Sequence, residues 1–284
     1  MPDRPVYHVD AFTTQPFAGN PAGVVLDADG LDDREMLLIA RELKHSETAF
    51  VLAPRKGGTY RIRFFTPTQE VALCGHATIA TAWVLHRERK AAAALRQETN
   101  IGTLDLRIEK GTVWMKQAPP RVEPVELGPG EIAEILNIMP ADIAVSIGPI
   151  QRAYTGNHHL IVPIWTRDAI DETIPDLARL ARLNVDLRCE TTHLWCAKDL
   201  ATSDTIYARD FAPAVGVPED PVTGTANGAL GGYLALNLLL KKPEFVVEQG
   251  TGIDRPGRVI VRASPSAVEI GGEAVIVSRG TLAL

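Results

Sequence analysis

Short runs of alternating apolar and polar residues, broken by glycine and proline clusters, predict strands through much of the chain. Val6 to Phe12, Val24 to Leu26, Glu47 to Leu52 and Tyr60 to Phe65 each read as a strand. Gly19-Asn20-Pro21-Ala22-Gly23 between the first two reads as a turn. Leu31 to Leu43 carries apolar residues at helical spacing, with Asp32 or Asp33 near its start. Ala77 to Leu85 follows Cys74-Gly75-His76 and is small and apolar with little polar face. Such a helix is buried on all sides. Leu104 to Ile108 and Val113 to Met115 alternate as strands, and a passage with Pro119, Pro120, Pro124 and Pro129 then reads as a domain linker. Beyond it, helices are predicted at Glu131 to Leu136 and Leu177 to Leu183, and strands at Leu160 to Val162, His193 to Cys196 and Thr205 to Arg209. Thr225 to Leu240 is a second apolar helix rich in Gly and Ala, and strands at 259–261, 267–270, 274–277 and 282–284 close the chain.

The pattern occurs twice. Arg63-Phe64-Phe65-Thr66-Pro67 and Arg209-Asp210-Phe211-Ala212-Pro213 share the form R-x-F-x-P. Glu70 and Glu219, Gly75 and Gly224, and Leu85 and Leu234 then follow at one constant offset of 149 residues. Each half runs strand, F-x-P corner, Glu, Gly turn, buried helix. This is duplication of a whole domain rather than a short-period repeat.

Bulk properties narrow the function. The 284 residues are 45% hydrophobic and 23% charged, which fits a folded body with a large core and no need of staples. The net charge of −6 leaves no dense positive face for nucleic acid. The longest apolar stretch, Leu234 to Leu240, is too short to span a membrane, and the first residues lack the apolar core of a signal peptide. Three scattered cysteines form no disulfide framework and fit a reducing, cytoplasmic setting.

Phosphate-loop, dinucleotide and nucleophile-elbow motifs are absent from the sequence. Cys189, His193 and Cys196 suggest a metal site, but a strand through His193 and Cys196 points them to opposite faces, so no metal is expected. His158-His159 beside Gly156-Asn157 reads as a loop. Acid–base chemistry remains. Helix N-termini at Gly75-His76 and Gly224-Thr225 offer backbone N–H groups to an anion, and two facing halves would direct both into one cleft. The same glycines also answer to tight turns and close helix packing. Glu47 leads into an apolar strand, where partial desolvation suits a carboxylate that both takes and gives a proton; the plainer reading is a strand-edge carboxylate. Cys74, His76, Glu219 and Asp220 are the other candidates near these turns. His76 also reads as a helix cap, and Asp220 before Pro221 as an Asx-type turn.

Six segments carry a resemblance to a known family: Asp10-Ala11-Phe12-Thr13, Phe17-Ala18-Gly19-Asn20-Pro21-Ala22, Ser46-Glu47-Thr48-Ala49-Phe50-Val51, Arg63 to Pro67, Leu73-Cys74-Gly75-His76-Ala77-Thr78, and Glu219-Asp220-Pro221-Val222-Thr223-Gly224-Thr225-Ala226. Gln249-Gly250 and Arg255-Pro256-Gly257 fit as well. In order and over nearly the whole chain, the sequence resembles the PhzF-like family of phenazine biosynthesis, within the diaminopimelate-epimerase-like fold. The resemblance implies an α+β fold of two pseudo-symmetric domains, each a β-barrel-like sheet wrapped around a central helix. The expected domains are residues 1–118 with 272–284, and 119–271. It implies a homodimer, a small carboxylate substrate, and isomerisation without metal or organic cofactor, the best-known family reaction acting on trans-2,3-dihydro-3-hydroxyanthranilate. The family's proton-shuttling glutamate falls on Glu47, and its substrate-binding His and Asp fall on His76 and Asp220. Cys74, Gly75, Thr223, Gly224 and Thr225 complete the expected substrate-binding set, Thr225 standing where the family often has Ser. Epimerases of the same fold use two thiols. Here Cys74 faces Thr223 in the repeat, which favours a single carboxylate over a thiol pair. The rival expectations are a Cys74-dependent epimerase with Glu47 or His76 as the opposite base, and a binding protein that has lost the chemistry.

Overall fold

The computed structural model describes residues 3–283. The chain divides into two compact units, Met1–Lys116 with Gly271–Leu284, and Gln117–Ile270.

In the first unit β1 (Arg4–Ala11), β2 (Asn20–Val25), α1 (Asp33–Leu43), β3 (Thr48–Leu52), β4 (Tyr60–Phe65), β5 (Glu70–Val71), α2 (Gly75–Arg89), β6 (Ala94–Thr99), β7 (Gly102–Glu109) and β8 (Thr112–Lys116) follow in turn. The second unit contains β9 (Arg121–Pro124), α3 (Pro129–Leu136), β10 (Gln151–Tyr154), β11 (His158–Ile164), α4 (Arg167–Asp171), α5 (Leu177–Asp186), β12 (Thr191–Cys196), α6 (Asp199–Thr202), β13 (Thr205–Ala212), β14 (Val217–Asp220), α7 (Gly224–Leu236), β15 (Glu244–Gln249), β16 (Gly257–Ser264) and β17 (Ala267–Gly272). The chain returns to the first unit at Gly271, within β17, and ends there as β18 (Ala274–Leu282).

Strand pairing repeats with the sequence. In the first unit the order is β18-β1-β2-β3-β4-β6-β7-β8, parallel only at β2/β3 and β4/β6. In the second it is β9-β10-β11-β12-β13-β15-β16, parallel only at β11/β12 and β13/β15. Parallel neighbours need a crossover, and a helix supplies each one. These are α1 and α2 in the first unit, and α4–α5 and α7 in the second. The short β5 and β14 each fold back on the end of the strand before them, β4 and β13.

The two crossover helices that follow the Gly turns are buried as their composition demands. Every residue of α7 except its last is buried, and so are nine of α2. α2 packs on β18, β1, β2, β3 and β8, which lie at both ends of its unit's strand order, and α7 packs on β9, β10, β11 and β16. Glycine lets the strands approach: a Cβ on Gly231 would stand 2.6 Å from Val261 Cγ1. The amphipathic α1 instead covers one face of its sheet, its apolar side packing with Val25, Phe50 and Phe65. Its start is fixed by a capping box, in which Asp32 Oδ1 accepts from the Glu35 amide and Glu35 Oε2 from the Asp32 amide, each at 2.8 Å.

The R-x-F…E repeat is one interaction built twice. Arg63 donates through Nε and Nη2 to the two Glu70 oxygens at 2.7 and 2.6 Å, and its guanidinium lies 5.0 Å from the Phe65 ring centre. Arg209 grips Glu219 likewise at 2.9 and 2.8 Å, 4.8 Å from the Phe211 ring. Two parallel charge-assisted bonds make a strong and directional clamp between a strand and the hairpin after it.

Four expectations are corrected. Asn20 to Gly23 is strand rather than turn, because β2 pairs with β1 along its whole length. The turn lies just before it, at Gly19, in the left-handed region at φ 61°. The proline-rich passage is not a free linker: Arg121 to Pro124 pairs with β10, at the end of the strand order where proline costs least. His158-His159 opens β11 rather than forming a loop. The last helix ends at Leu236, since Leu238 turns left-handed at φ 58°.

Candidate functional site

Glu47 is the residue just before β3, and its carbonyl accepts from the Gly23 amide of β2 at 3.2 Å. This anchors the backbone while leaving the side chain 20% exposed. Cys74 is the N-cap of α2 and gives the helix no side-chain hydrogen bond. His76 sits in the first turn and is buried. The three come together: His76 Nε2 lies 3.3 Å from Glu47 Oε2 and 3.4 Å from Ser46 Oγ, and Cys74 Sγ lies 3.5 Å from His76 Nδ1. Nε2–H can donate to the Glu47 carboxylate, while the thiol packs alongside the ring, off the Nδ1 lone-pair axis. The imidazole thus fixes the carboxylate's orientation, with the thiol packed beside it. Gly75 opens the helix beside them with the free N–H groups of a first turn, where the helix dipole favours an anion.

Glu47, Cys74 and His76 also offer three ligand atoms within 4.8 Å of one another. The sulfur, however, is 3.5 Å from Nδ1 and 3.8 Å from Nε2, so it lies alongside the ring rather than on the lone-pair axis of Nε2. One cation on Nε2 and Glu47 would need Cys74 to move, so the trio as placed is not a metal cage. Cys189 and Cys196 each donate to a backbone carbonyl, of Leu187 and Trp165. Burial pushes the Cys189 thiol up to about 12 and raises that of Cys196, so neither offers a thiolate to a metal.

In the second unit, Asp220 ends β14 and Thr223 is the N-cap of α7, followed by Gly224 and Thr225. The Thr223 hydroxyl does not cap its helix either. It lies 2.5 Å from Asp220 Oδ2 and 3.0 Å from Asp210 Oδ2. Gln249 holds this turn, accepting from the Thr223 amide at 3.1 Å and donating to the Asp220 carbonyl at 2.9 Å. Behind it lies a buried polar cluster. Asp210 Oδ1 accepts from Thr191 Oγ1 at 2.7 Å and from His193 Nδ1 at 3.0 Å. His159 Nδ1 in turn donates to Thr191 Oγ1 at 2.8 Å. Burial pushes His159 down to about 4.

Sequence reasoning gave no role to Asp210, Thr191 or Ser46, read His159 as part of a loop, and read His193 only as a doubtful metal ligand. The available signal was period two: Thr191 and His193 share one strand face, and both are polar. His8 Nδ1, 2.6 Å from His45 Nε2 just before Ser46, is a further contact with no counterpart in the motif reading.

The sequence pattern of PhzC-PhzF, described as phenazine biosynthesis-like protein, matches residues 9–280. The chain is 38% identical over 287 residues to the uncharacterized isomerase YddE of Escherichia coli K12, covering 95% of each chain. It is 33% identical over 289 residues to the trans-2,3-dihydro-3-hydroxyanthranilate isomerase of Pseudomonas fluorescens, covering 97% of this chain and 98% of that one. Among solved structures, the PhzF-family phenazine biosynthesis protein of Bacillus anthracis superposes with a TM-score of 0.90 at 34% identity, over all of both chains. No helix among the described residues is long and apolar enough to cross a membrane. The chain belongs to the phenazine biosynthesis-like PhzC-PhzF family and is an isomerase.

Proposed function

We propose that this isomerase moves a proton with Glu47 alone, without metal or organic cofactor, on a small carboxylate substrate of the class of trans-2,3-dihydro-3-hydroxyanthranilate. The observation that carries the reading is the Glu47 carboxylate held 3.3 Å from His76 Nε2 beside the uncapped first turn of α2. Glu47 removes a proton from an acidic C–H bond of the substrate, and the electron pair delocalises into the adjoining π-system. The carboxylic acid so formed returns the same proton to another carbon of that system, which regenerates the carboxylate. Cys74, Gly75 and His76 bind the substrate beside Glu47, the amide donors stabilising its negative charge as it grows. Asp220, Thr223, Gly224 and Thr225 are proposed as substrate-binding groups of the second unit. The same proposal takes the strands of each unit to close around α2 or α7 as a barrel, which the packing of each helix on both ends of its strand order supports. It also takes the protein to be a cytoplasmic homodimer, and sedimentation equilibrium checks the assembly.

The test is proton NMR in D2O with trans-2,3-dihydro-3-hydroxyanthranilate and a panel of amino- and hydroxy-substituted carboxylates, on wild type, Glu47→Gln and Cys74→Ala. The reading expects exchange or isomerisation that falls by at least about 10²-fold in Glu47→Gln and survives in Cys74→Ala. Exchange that survives Glu47→Gln and is lost in Cys74→Ala moves the base to the thiol. That second reading, a Cys74 epimerase, draws on the 3.5 Å contact between Cys74 Sγ and His76 Nδ1.

A further inference from the structure

A threonine hydroxyl has one hydrogen. Thr223 Oγ1 nevertheless lies within hydrogen-bond distance of two carboxyl oxygens, 2.5 Å from Asp220 Oδ2 and 3.0 Å from Asp210 Oδ2. Its hydrogen serves one of them. The other contact would set bare oxygen against bare oxygen unless that carboxyl group brings a hydrogen of its own. The remaining neighbour of Oγ1, Gln249 Nε2 at 3.2 Å, is a donor and takes up a lone pair rather than supplying an acceptor. One proton held between Asp210 and Asp220 would supply the missing hydrogen.

The rest of the cluster fixes where Asp210 can act. Its Oδ1 is already taken by Thr191 and His193, so only Oδ2 faces Thr223. Asp210 is fully buried. The titratable groups that face it are His193 from β12, His159 through Thr191 from β11, and Asp220 through Thr223 from β14. Gln249 from β15 is neutral. Arg209 and Glu219 neutralise each other as the bidentate pair one residue away along β13.

We propose that Asp210 is a positioning residue that acts through the Thr223 hydroxyl, holding the Asp220 carboxyl in one orientation and sharing one proton with it. The inference rests on the reading of Asp220 as a substrate-binding group for its role in the reaction, but not for the coupling itself. A carboxyl group presented with a shared proton can donate to, or accept from, a substrate amine or hydroxyl without a water molecule entering the pocket.

The test reads the coupling without any substrate. Protein labelled with 13C at the aspartate Cγ is titrated by NMR, the Asp220 resonance being assigned from its loss in Asp220→Asn. In wild type the Asp220 signal titrates in two steps, as a coupled pair must. Asp210→Asn collapses it to one step whose midpoint moves down by about one pH unit, because a like-charged partner is gone. Thr223→Val, nearly isosteric, brings the two steps closer together by removing the bridging hydroxyl, whereas Thr223→Ser keeps the wild-type spacing. Circular dichroism shows whether each variant is folded, and Thr223→Val carries the test should Asp210→Asn fail to fold. A single wild-type step left unchanged by Asp210→Asn and Thr223→Val overturns the proposal, as do two steps that persist at the wild-type spacing in both variants. Should coupling hold while Glu47→Gln keeps turnover, only the mechanism built on Glu47 falls.

Discussion

His159 allows the buried cluster to be weighed. It is fully buried on β11, its Nδ1 donating to Thr191, and its Nε2 has no hydrogen-bond partner. A second proton would put an N–H at Nε2 with no acceptor, in a place that already disfavours charge. Burial accordingly lowers this histidine from 6.5 to about 4 in the folded chain. The unfolded chain takes up the proton near 6.5, while the native state refuses it until about 4. The stability tied to His159 is therefore complete above 6.5, falls as pH drops below that value, and is gone near 4. The difference of about 2.5 pH units corresponds to about 3 kcal/mol in full, of which about 2 kcal/mol is lost between pH 8 and pH 5. The perturbation is His159→Asn, whose amide can still donate toward Thr191 but does not titrate. Urea unfolding of wild type and variant is followed by tryptophan fluorescence at pH 8 and pH 5. The variant starts lower, having lost ring volume, yet loses about 2 kcal/mol less between the two pH values. Other histidines act alike in both proteins and cancel from the comparison. Equal losses in wild type and variant would refute the argument.

The two Arg–Glu clamps should respond unequally. Arg209 and Glu219 are 10% and 12% exposed, against 14% and 28% for Arg63 and Glu70. Glu219→Gln should therefore cost about 3 kcal/mol and Glu70→Gln about 1–2 kcal/mol in chemical denaturation, and a reversed order would contradict the burial argument. The bonds from Arg63 hold the Glu70 carboxyl below its usual range, so its contribution persists through neutral pH. It is lost only as pH falls through that depressed value, and Glu70→Gln should flatten this acid limb. Gly250 sits at φ 87°, and a Cβ there would stand 2.3 Å from the Arg255 carbonyl oxygen and 2.6 Å from that of Pro221. Both obstacles are backbone, so Gly250→Ala should cost about 2–3 kcal/mol or more and displace the turn that carries Asp220, visible as a lowered Tm.

What the sequence made legible is what geometry forces to recur. The constant offset between Glu70 and Glu219, Gly75 and Gly224 survives because each unit must run the same strand order with the same two parallel pairs. A clamp of arginine on glutamate beside a phenylalanine leaves Arg and Phe two apart in each unit, with the Glu seven residues after Arg63 and ten after Arg209. The buried helices were legible for a related reason, since only small and apolar residues fit a helix packed on both ends of its strand order. Asn20 to Gly23 and Arg121 to Pro124 misled because turn residues signal local backbone preference, and pairing outweighs that preference where a strand needs a close approach. Gly23 is such a place, a Cβ there standing 2.9 Å from Thr48 Oγ1. The buried cluster was illegible for another reason. Its members lie on three strands, and only register brings His193 opposite Asp210 and His159 beside Thr191.

The same contrast bears on the chemistry. The repeat pairs Cys74 with Thr223, and by sequence the second reads as a weakened copy of the first. By contacts the two have separate work. Cys74 leaves its helix uncapped and meets an imidazole that holds a carboxylate. Thr223 also leaves its helix uncapped, because its hydroxyl is held between two carboxyl groups. A threonine placed there to oppose a thiol as a second base would need that hydroxyl unencumbered, with its proton free to leave. Here the proton is fixed by the carboxyl groups on either side. Duplication thus preserved the frame, with its clamp, turn and buried helix. At the helix N-cap it set a thiol beside an imidazole that holds a carboxylate in one unit, and a hydroxyl between two carboxyl groups in the other.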